Sequence, residues 1–398
     1  MDPYLHHVAS RLVESDTVSH RTNEPAAEFL ADELDRLGFR LARQVAEVEG
    51  VRKANLVAWL GPAEPGGLIL SGHLDVVPFA GQPGWTREPL RLAGEGDRLY
   101  GRGTSDMKGF VAQCLAAARR LDPASLDRPL VFVFTCDEEV GCLGAERLAP
   151  VLASLLGELP LPRLCWIGEP TTWRVLHAHK GIVAFEVEAR GRGGHSSVPE
   201  AGVNAIALAA RAVAAIGGLQ AELRARPVEA WRGTFPEAPY TTFNFGTIAG
   251  GTAANVIAEA CRLLVSYRPL PDADPLEPFE RVRERLAALE PRDFGSPERE
   301  GAIDLGAPRV VPGMLSPRGT ALEKVLFETL GEHDPGGAPF CTDGGRLAAA
   351  GIHSLVCGPG DLDQAHQPDE SIPRAAFERG PDVILTVLAR LLGARPRS

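Results

Sequence analysis

Leu130-Val-Phe-Val-Phe-Thr-Cys-Asp-Glu-Glu139 is the stretch on which the fold turns. Its first five residues are apolar without alternation, which marks a strand buried on both faces of a sheet covered by helices. Its last two, Glu138 and Glu139, are adjacent carboxylates, and folding alone gives no reason to gather like charge at a strand exit. A nearby cation does. Three further apolar runs end in the same way. Leu68-Ile-Leu70 leads into Ser71-Gly-His73-Leu-Asp75, Cys165-Trp-Ile167 leads to Glu169, and Ile352-His-Ser-Leu-Val-Cys357 reaches His366 after a loop. In open α/β sheets ligands bind beyond the carboxyl ends of the strands, so four strands would deliver these groups to one place. The pattern predicts a hydrolytic metal centre on an α/β sheet.

Around these strands the chain alternates helix and strand. Pro25 to Leu37 carries helical apolar spacing with Gly38 as its stop, and Asn55-Leu-Val-Ala-Trp-Leu60 reads as another strand. Met107, Phe110, Val111, Cys114, Leu115, Ala118 and Leu121 mark an amphipathic helix with Asp106 at its start, where a carboxylate can also serve simply as a cap. From Gly181 the grammar changes. Val183, Phe185, Val187 and Ala189 alternate with polar or small neighbours, as in an antiparallel sheet with one open face. A helix from about Val203 to Ile216, strands at Thr242 to Phe245 and Cys261 to Tyr267, and a helix after Pro278 follow. This β-α-β-β-α-β order suggests a ferredoxin-like insert. A Gly- and Pro-rich return path from Gly295 to Pro317 leads to a helix over Ala321 to Leu330, resuming the first grammar. The expected division is a discontinuous catalytic domain, 1–180 and 311–398, around an insert at 181–310.

A chain of 398 residues exceeds what one core normally supports, in keeping with two domains. A net charge of -11 without a run of Lys or Arg argues against nucleic-acid and anionic-membrane partners. No apolar run suggests a membrane span, and Met1-Asp-Pro-Tyr-Leu-His-His-Val lacks the features of a signal peptide, so a cytoplasmic location is expected. The seven cysteines form no Cys-x-x-Cys pair, which disfavours a disulfide framework or a thiolate zinc site.

Imidazole and carboxylate ligands suit catalytic Zn²⁺, with Co²⁺ or Mn²⁺ as substitutes. Two such ions about 3.5 to 4 Å apart need a bridging carboxylate. Asp106, in the glycine-rich turn Tyr100-Gly-Arg-Gly-Thr-Ser-Asp106-Met-Lys-Gly109, is the candidate bridge. Asp75, two residues beyond His73, can accept the other imidazole N–H, unless the two form a surface pair in a turn. Glu138 and Glu139 divide their labour in this reading, because a carboxylate bound to metal is a poor proton acceptor and one must stay free. Adjacent glutamates can equally be a solvated surface. His195, in Arg190-Gly-Arg-Gly-Gly-His195-Ser-Ser-Val-Pro199, is either a structural residue of its turn or an oxyanion donor brought over the metals.

With these motifs in view, the chain from about Ser71 to Pro373 resembles the metallo-aminoacylase family that contains acetylornithine deacetylases, succinyl-diaminopimelate desuccinylases and glutamate-releasing carboxypeptidases. The likeness rests on Ser-Gly-His73-Leu-Asp75-Val-Val-Pro, Gly101-Arg-Gly-Thr-Ser-Asp106-Met-Lys-Gly, Asp137-Glu138-Glu139-Val-Gly, Ile167-Gly-Glu169-Pro-Thr, Gly194-His195-Ser-Ser-Val-Pro and Gln364-Ala-His366-Gln-Pro-Asp-Glu. It implies a zinc-aminopeptidase-like α/β catalytic domain, with helices on both faces of a mostly parallel sheet and an inserted dimerisation domain. It also implies two Zn²⁺, one held by His73, Asp106 and Glu169 and the other by Asp106, Glu139 and His366. Glu138 matches the family's general base and Asp75 its orienting aspartate, and a non-proline cis peptide is implied after Asp106. His195 matches a histidine that reaches a neighbouring subunit's site, which implies a homodimer. Asn255, Arg268 and Thr342 match substrate-contacting positions. Arg268 could clamp a carboxylate bidentately or be a surface ion-pair partner.

Ala178-His-Lys-Gly181, Gly202-Val-Asn-Ala-Ile206 and Gly358-Pro-Gly are most similar to the acetylornithine deacetylase branch, while Thr342-Asp-Gly-Gly-Arg346 resembles the desuccinylase branch. The expected activity is hydrolysis of an N-acyl amino acid, N2-acetylornithine first. Acetylcitrulline, succinyl-diaminopimelate and dipeptides are the alternatives of the same chemistry. A non-catalytic amino-acid-binding protein is the alternative of another class, which would have no need of a free Glu138. No Gly-x-Ser-x-Gly or His-Glu-x-x-His is present, against a serine hydrolase or a mononuclear zincin.

Overall fold

Residues 2–289, 301–331 and 333–397 are described by a computed structural model. The chain divides into two compact units: Met1–Ala178, Met314–Gly336 and Thr342–Ser398 form one, and His179–Gly313 with Gly337–Cys341 the other. The return path read over Gly295 to Pro317 lies partly outside the described residues.

In the first unit the sheet runs in the order Arg40–Val48, Val51–Leu60, Leu130–Thr135, Leu68–His73, Leu164–Ile167, His353–Val356, Leu176–His179 and Met314–Leu315. The four strands from Leu130–Thr135 to His353–Val356 pair in parallel, so their carboxyl ends share one edge. Every residue of Leu130–Thr135 and Leu68–His73 is buried, which requires cover on both faces. Phe132, Phe134 and Leu70 face a core built with helices Pro3–Glu14, Glu24–Arg36, Lys108–Arg120 and Arg374–Leu392. Lys108–Arg120 runs so deep that its first eleven residues, Lys108 to Ala118, are all buried.

Parallel pairing holds at the centre and gives way at the flanks, a narrower result than a mostly parallel sheet. Arg40–Val48 and Val51–Leu60 form an antiparallel hairpin, and the latter meets Leu130–Thr135 antiparallel. The cause is local. Glu49 and Gly50 both take positive φ, 52° and 79°, the pattern of a two-residue turn whose twist matches its strands.

The second unit is a sheet in the order Thr242–Gly250, Ala260–Arg268, Ile182–Arg190, Ala302–Leu305, all antiparallel. Helices Ala205–Ala225 and Glu277–Ala287 complete the β-α-β-β-α-β order of a ferredoxin-like fold. Val183, Phe185, Val187 and Ala189 point into its core, as alternation predicts. Ala205–Ala225 corrects one expectation, since it is long and apolar enough by length and composition to cross a bilayer. Here its stripe Ala205, Leu208, Ala209, Ala212, Ile216 and Leu219 packs into that core.

Candidate metal centre

The buried strand Leu130–Thr135 ends, and Asp137 turns the chain with φ 56°, a left-handed conformation that Asp tolerates better than most residues. Its carboxylate is held by Lys53 at 2.9 Å and Arg147 at 3.1 Å, with Lys53 and Asp137 both buried. Glu138 and Glu139 follow, their backbone N–H groups donating to Asp75 Oδ1 at 3.1 Å and Oδ2 at 3.3 Å. Asp75 also accepts the Ser19 hydroxyl at 2.7 Å.

His73 ends its strand almost fully buried. Its Nδ1 lies 2.9 Å from the Asp75 backbone carbonyl and 3.7 Å from the Asp75 carboxylate. The ring is therefore oriented by the main chain of Asp75, while the side chain of Asp75 orients the acidic loop. With Nδ1–H donated to that carbonyl, Nε2 faces the site.

Asp106 stands between the two histidines. Its Oδ1 is 3.0 Å from His73 Nε2 and its Oδ2 is 3.3 Å from His366 Nε2. It does not cap the helix that follows: the helix begins at Lys108, its cap position is Met107, and no side chain bonds there. The Asp106–Met107 peptide is cis. His366, on a left-handed residue with φ 63°, reaches Glu139 Oε2 at 2.9 Å. Glu169 Oε2 is 3.8 Å from His73 Nε2. It follows Gly168, where any Cβ would lie 1.9 Å from the Phe110 ring, so the strand end needs glycine to sit on that ring. Ligand atoms of His73, Asp106 and Glu139, and likewise of His73, Glu138 and Glu169, lie within 4.8 Å of one another.

The electrostatics are those of a site built for cations. Burial, then the charge of Glu169, pushes the Glu138 carboxyl well above its ordinary range. Glu169 is raised by burial and Asp106, and Glu139 is raised to about 6 by burial and Asp106. Burial opposes protonation of His73, yet its bond to Asp106 and the charge of Glu169 raise it well above its usual value. The bonds of His366 to Asp106 and Glu139 raise it to about 10. Asp106 is lowered despite burial, because both imidazoles donate to it. Protons on the two Nε2 atoms thus occupy the positions where cations would sit. Two imidazoles and four carboxylates, one of them Asp106 with an oxygen toward each imidazole, fit two divalent ions.

His195, Asn255 and Arg268 lie in the second unit. There the backbone sews the His195 and Asn255 loops together: Ser196 N–H donates to Asn255 O at 3.1 Å and Ile257 N–H to Gly194 O at 2.9 Å. His195 is exposed, and its Nδ1 accepts the Ser197 N–H at 3.2 Å, which leaves the ring proton on Nε2. Arg268 donates to Cys341 Sγ at 3.3 Å. Thr342, in the first unit, is fully buried and its Oγ1 accepts the Gly344 N–H at 3.1 Å.

Three groups around the centre escaped the sequence reading. Asp343 accepts the Thr135 hydroxyl at 2.6 Å and is raised to about 6 by burial. Lys53 pairs with Asp137, and Arg102 with Glu370 at 2.8 Å, both members buried. Arg102 and Glu370 already stood inside two of the motifs, and a buried Arg with a buried Glu is the kind of pair those motifs could have suggested.

Residues 69–269 match the family described as Peptidase family M20/M25/M40. An acetylornithine deacetylase of Proteus mirabilis (strain HI4320) is 37% identical over 92% of this chain and 89% of its own length. Another from Myxococcus xanthus is 35% identical over 99% of both. Among solved structures, an M20 family metallo-carboxypeptidase from Sulfolobus solfataricus superposes with a TM-score of 0.76 at 18% identity, over 98% of this chain and 99% of its own. A sheet that gathers two imidazoles and a set of carboxylates beyond its parallel strands, together with relatives alike along nearly their whole length, gives one conclusion: the chain belongs to peptidase family M20/M25/M40.

Proposed function

We propose that the protein is a metal-dependent amidohydrolase that removes the acetyl group from N2-acetylornithine, giving ornithine and acetate. The observation that carries this reading is the Asp106 carboxylate, whose two oxygens lie 3.0 Å and 3.3 Å from the Nε2 atoms of His73 and His366. The nature of the relatives supports the substrate, as the two named above are acetylornithine deacetylases.

His73, Asp106 and Glu169 would hold one ion and Asp106, Glu139 and His366 the other, Zn²⁺ by donor type, with Co²⁺ or Mn²⁺ as substitutes. When bound, such ions polarise the amide carbonyl and make water more acidic. The remaining work belongs to side chains. Glu138 takes a proton as water adds to the carbonyl carbon, then returns it to nitrogen as the C–N bond breaks, so acid and base are one group. Asp75 holds the Glu138 and Glu139 backbones in register. His195, delivered from the insert of a second subunit, donates Nε2–H to the oxyanion. Arg268 forks the substrate carboxylate, with Asn255 and Thr342 as further substrate contacts.

The homodimer forms through the insert in this reading. Its edge strand Thr242–Gly250 leaves Ile248 60% exposed, and an open strand edge with apolar side chains invites pairing. Ile248→Lys should shift the protein to monomer in light scattering and lower turnover with it.

The main test is release of free amine from N2-acetylornithine, N-acetylcitrulline, N-succinyl-diaminopimelate and a dipeptide, each with metal-stripped and Zn²⁺- or Co²⁺-loaded protein. Metal-dependent turnover highest on N2-acetylornithine is expected. Preference for the succinyl substrate would move the assignment, consistent with Asp343 in Thr342-Asp-Gly-Gly-Arg346. No turnover of any of the four would refute it.

A further inference from the structure

We infer that Gln82, acting with Arg102 and Glu370, is a positioning device that sets the distance between Asp106 and His366 and so governs binding of one of the two metal ions. The inference rests on the metal reading above. Glu370 Oε1 accepts the backbone N–H groups of Ser105 at 2.9 Å and Asp106 at 3.1 Å. Its other oxygen accepts Arg102 NH1 at 2.8 Å, and both side chains are only 1% exposed. Arg102 NH2 donates to Gln82 Oε1 at 2.7 Å, and Gln82 Nε2 donates to the backbone carbonyl of His366, also at 2.7 Å. The Trp85 indole donates to the same Gln82 oxygen at 3.1 Å and lies under the Arg102 guanidinium, 5.0 Å from ring to carbon. An unbroken series of bonds therefore runs from the Asp106 main chain to the His366 main chain.

The reason such a series matters is the contrast between ligands. The side chain of His73 is 1% exposed, that of Glu169 6% and that of Asp106 10%, so packing holds them. The His366 side chain is 51% exposed. Its ring meets Asp106 and Glu139 on the side of the site, but half of the side chain is open, so its place depends also on where the backbone of its loop is fastened. Gln82 supplies that fastening with an amide that meets both demands at once, accepting from Arg102 and donating to His366. Glutamate could satisfy the first and not the second.

The discriminating variants are Gln82→Ala and Gln82→Glu. The first removes both bonds, while the second keeps the Arg102 contact and deletes the donor to the His366 carbonyl. Zn²⁺ titration of metal-stripped protein by calorimetry, with the visible spectrum of the Co²⁺ form as a second readout, should resolve two ions in the wild type. Both variants should bind one ion unchanged and the other roughly 10- to 100-fold more weakly, the span measured for outer partners of metal ligands. The Co²⁺ spectrum should change at the second equivalent alone, and the melting temperature of the metal-free protein should not move. Unchanged affinities for both ions, or equal weakening of both with a fall in metal-free stability, would overturn the inference while leaving the metal reading intact. A wild type that binds no divalent ion would sink both.

Discussion

Asp75 Oδ1 accepts the backbone N–H of Glu138 at 3.1 Å, and this bond ties the strand that carries His73 to the loop that carries the proposed base. The partner oxygen accepts Glu139 N–H at 3.3 Å and the Ser19 hydroxyl at 2.7 Å, so one buried carboxylate engages three donors. Asp75→Asn presents an amide NH₂ to one of those N–H groups, a clash of donors. Turnover at saturating metal should fall about 10- to 100-fold. Steady-state kinetics with metal content checked by elemental analysis measures it, and wild-type kcat in the variant would refute the link.

Glu138 is half-buried beside His73 and Glu169, and its carboxylate accepts the Cys142 thiol, Sγ at 3.5 Å, with no ion pair to it among the described residues. Glu138→Gln keeps its shape and removes its basicity. Loss of about 10² to 10⁴ in kcat with two ions retained is the expected result. Activity within a few-fold of wild type would assign the base elsewhere.

Removing metal should destabilise the protein, and more so as pH rises. In the cation-free fold Glu139 is raised to about 6 by burial and Asp106, and His366 to about 10 by its bonds to Asp106 and Glu139. Both folded values exceed the unfolded ones, so the folded state holds protons that the unfolded state lacks. Their stabilising contribution is complete at low pH and is lost as pH climbs through each folded value. Metal-free protein should therefore melt lower at pH 8 than at pH 6. Zn²⁺ competes with those protons, and its stabilisation, about 4 kcal/mol at a thousandfold excess over Kd, should be larger at pH 8. Differential scanning calorimetry with and without chelator tests both signs.

Asp343 offers a separate pH test. Burial raises its carboxyl to about 6, and that raised value means the folded state favours the neutral form. Stability linked to this proton is present below the unfolded value and lost between roughly pH 4 and 6, a difference of at most about 3 kcal/mol. Asp343→Asn stays neutral throughout. Denaturant titrations of metal-free protein should find the variant more stable than wild type at pH 7 and level with it near pH 4, and the opposite order would refute the burial argument.

Much of the architecture was legible because it rests on periodicity. Val183 to Ala189 alternates and faces one core, and Leu130 to Phe134 is continuously apolar and covered on both sides. The antiparallel flank of the large sheet was not legible, because Arg40–Val48 pairs through a turn whose residues, Glu49 and Gly50, carry no decisive signal until their backbone angles are known. Of the candidate site, the side chains themselves could be named, since strand exits mark where sheets bind ligands. Their partners could not. The Asp75 carboxylate was expected to hold the imidazole of His73, yet the nearer acceptor is the carbonyl of the same residue, 2.9 Å against 3.7 Å.

What can be read along the chain is therefore the kind of atom available and the face on which it sits: two histidines and a set of acids at the ends of buried strands, with an insert of different grammar between them. Folding added the pairings. Arg102 meets Glu370 across 268 positions of sequence, and Asp75 meets the Glu138 backbone across 63. Such bonds depend on strand register and loop path to within a few tenths of an ångström, whereas apolar periodicity records only which side of an element is dry.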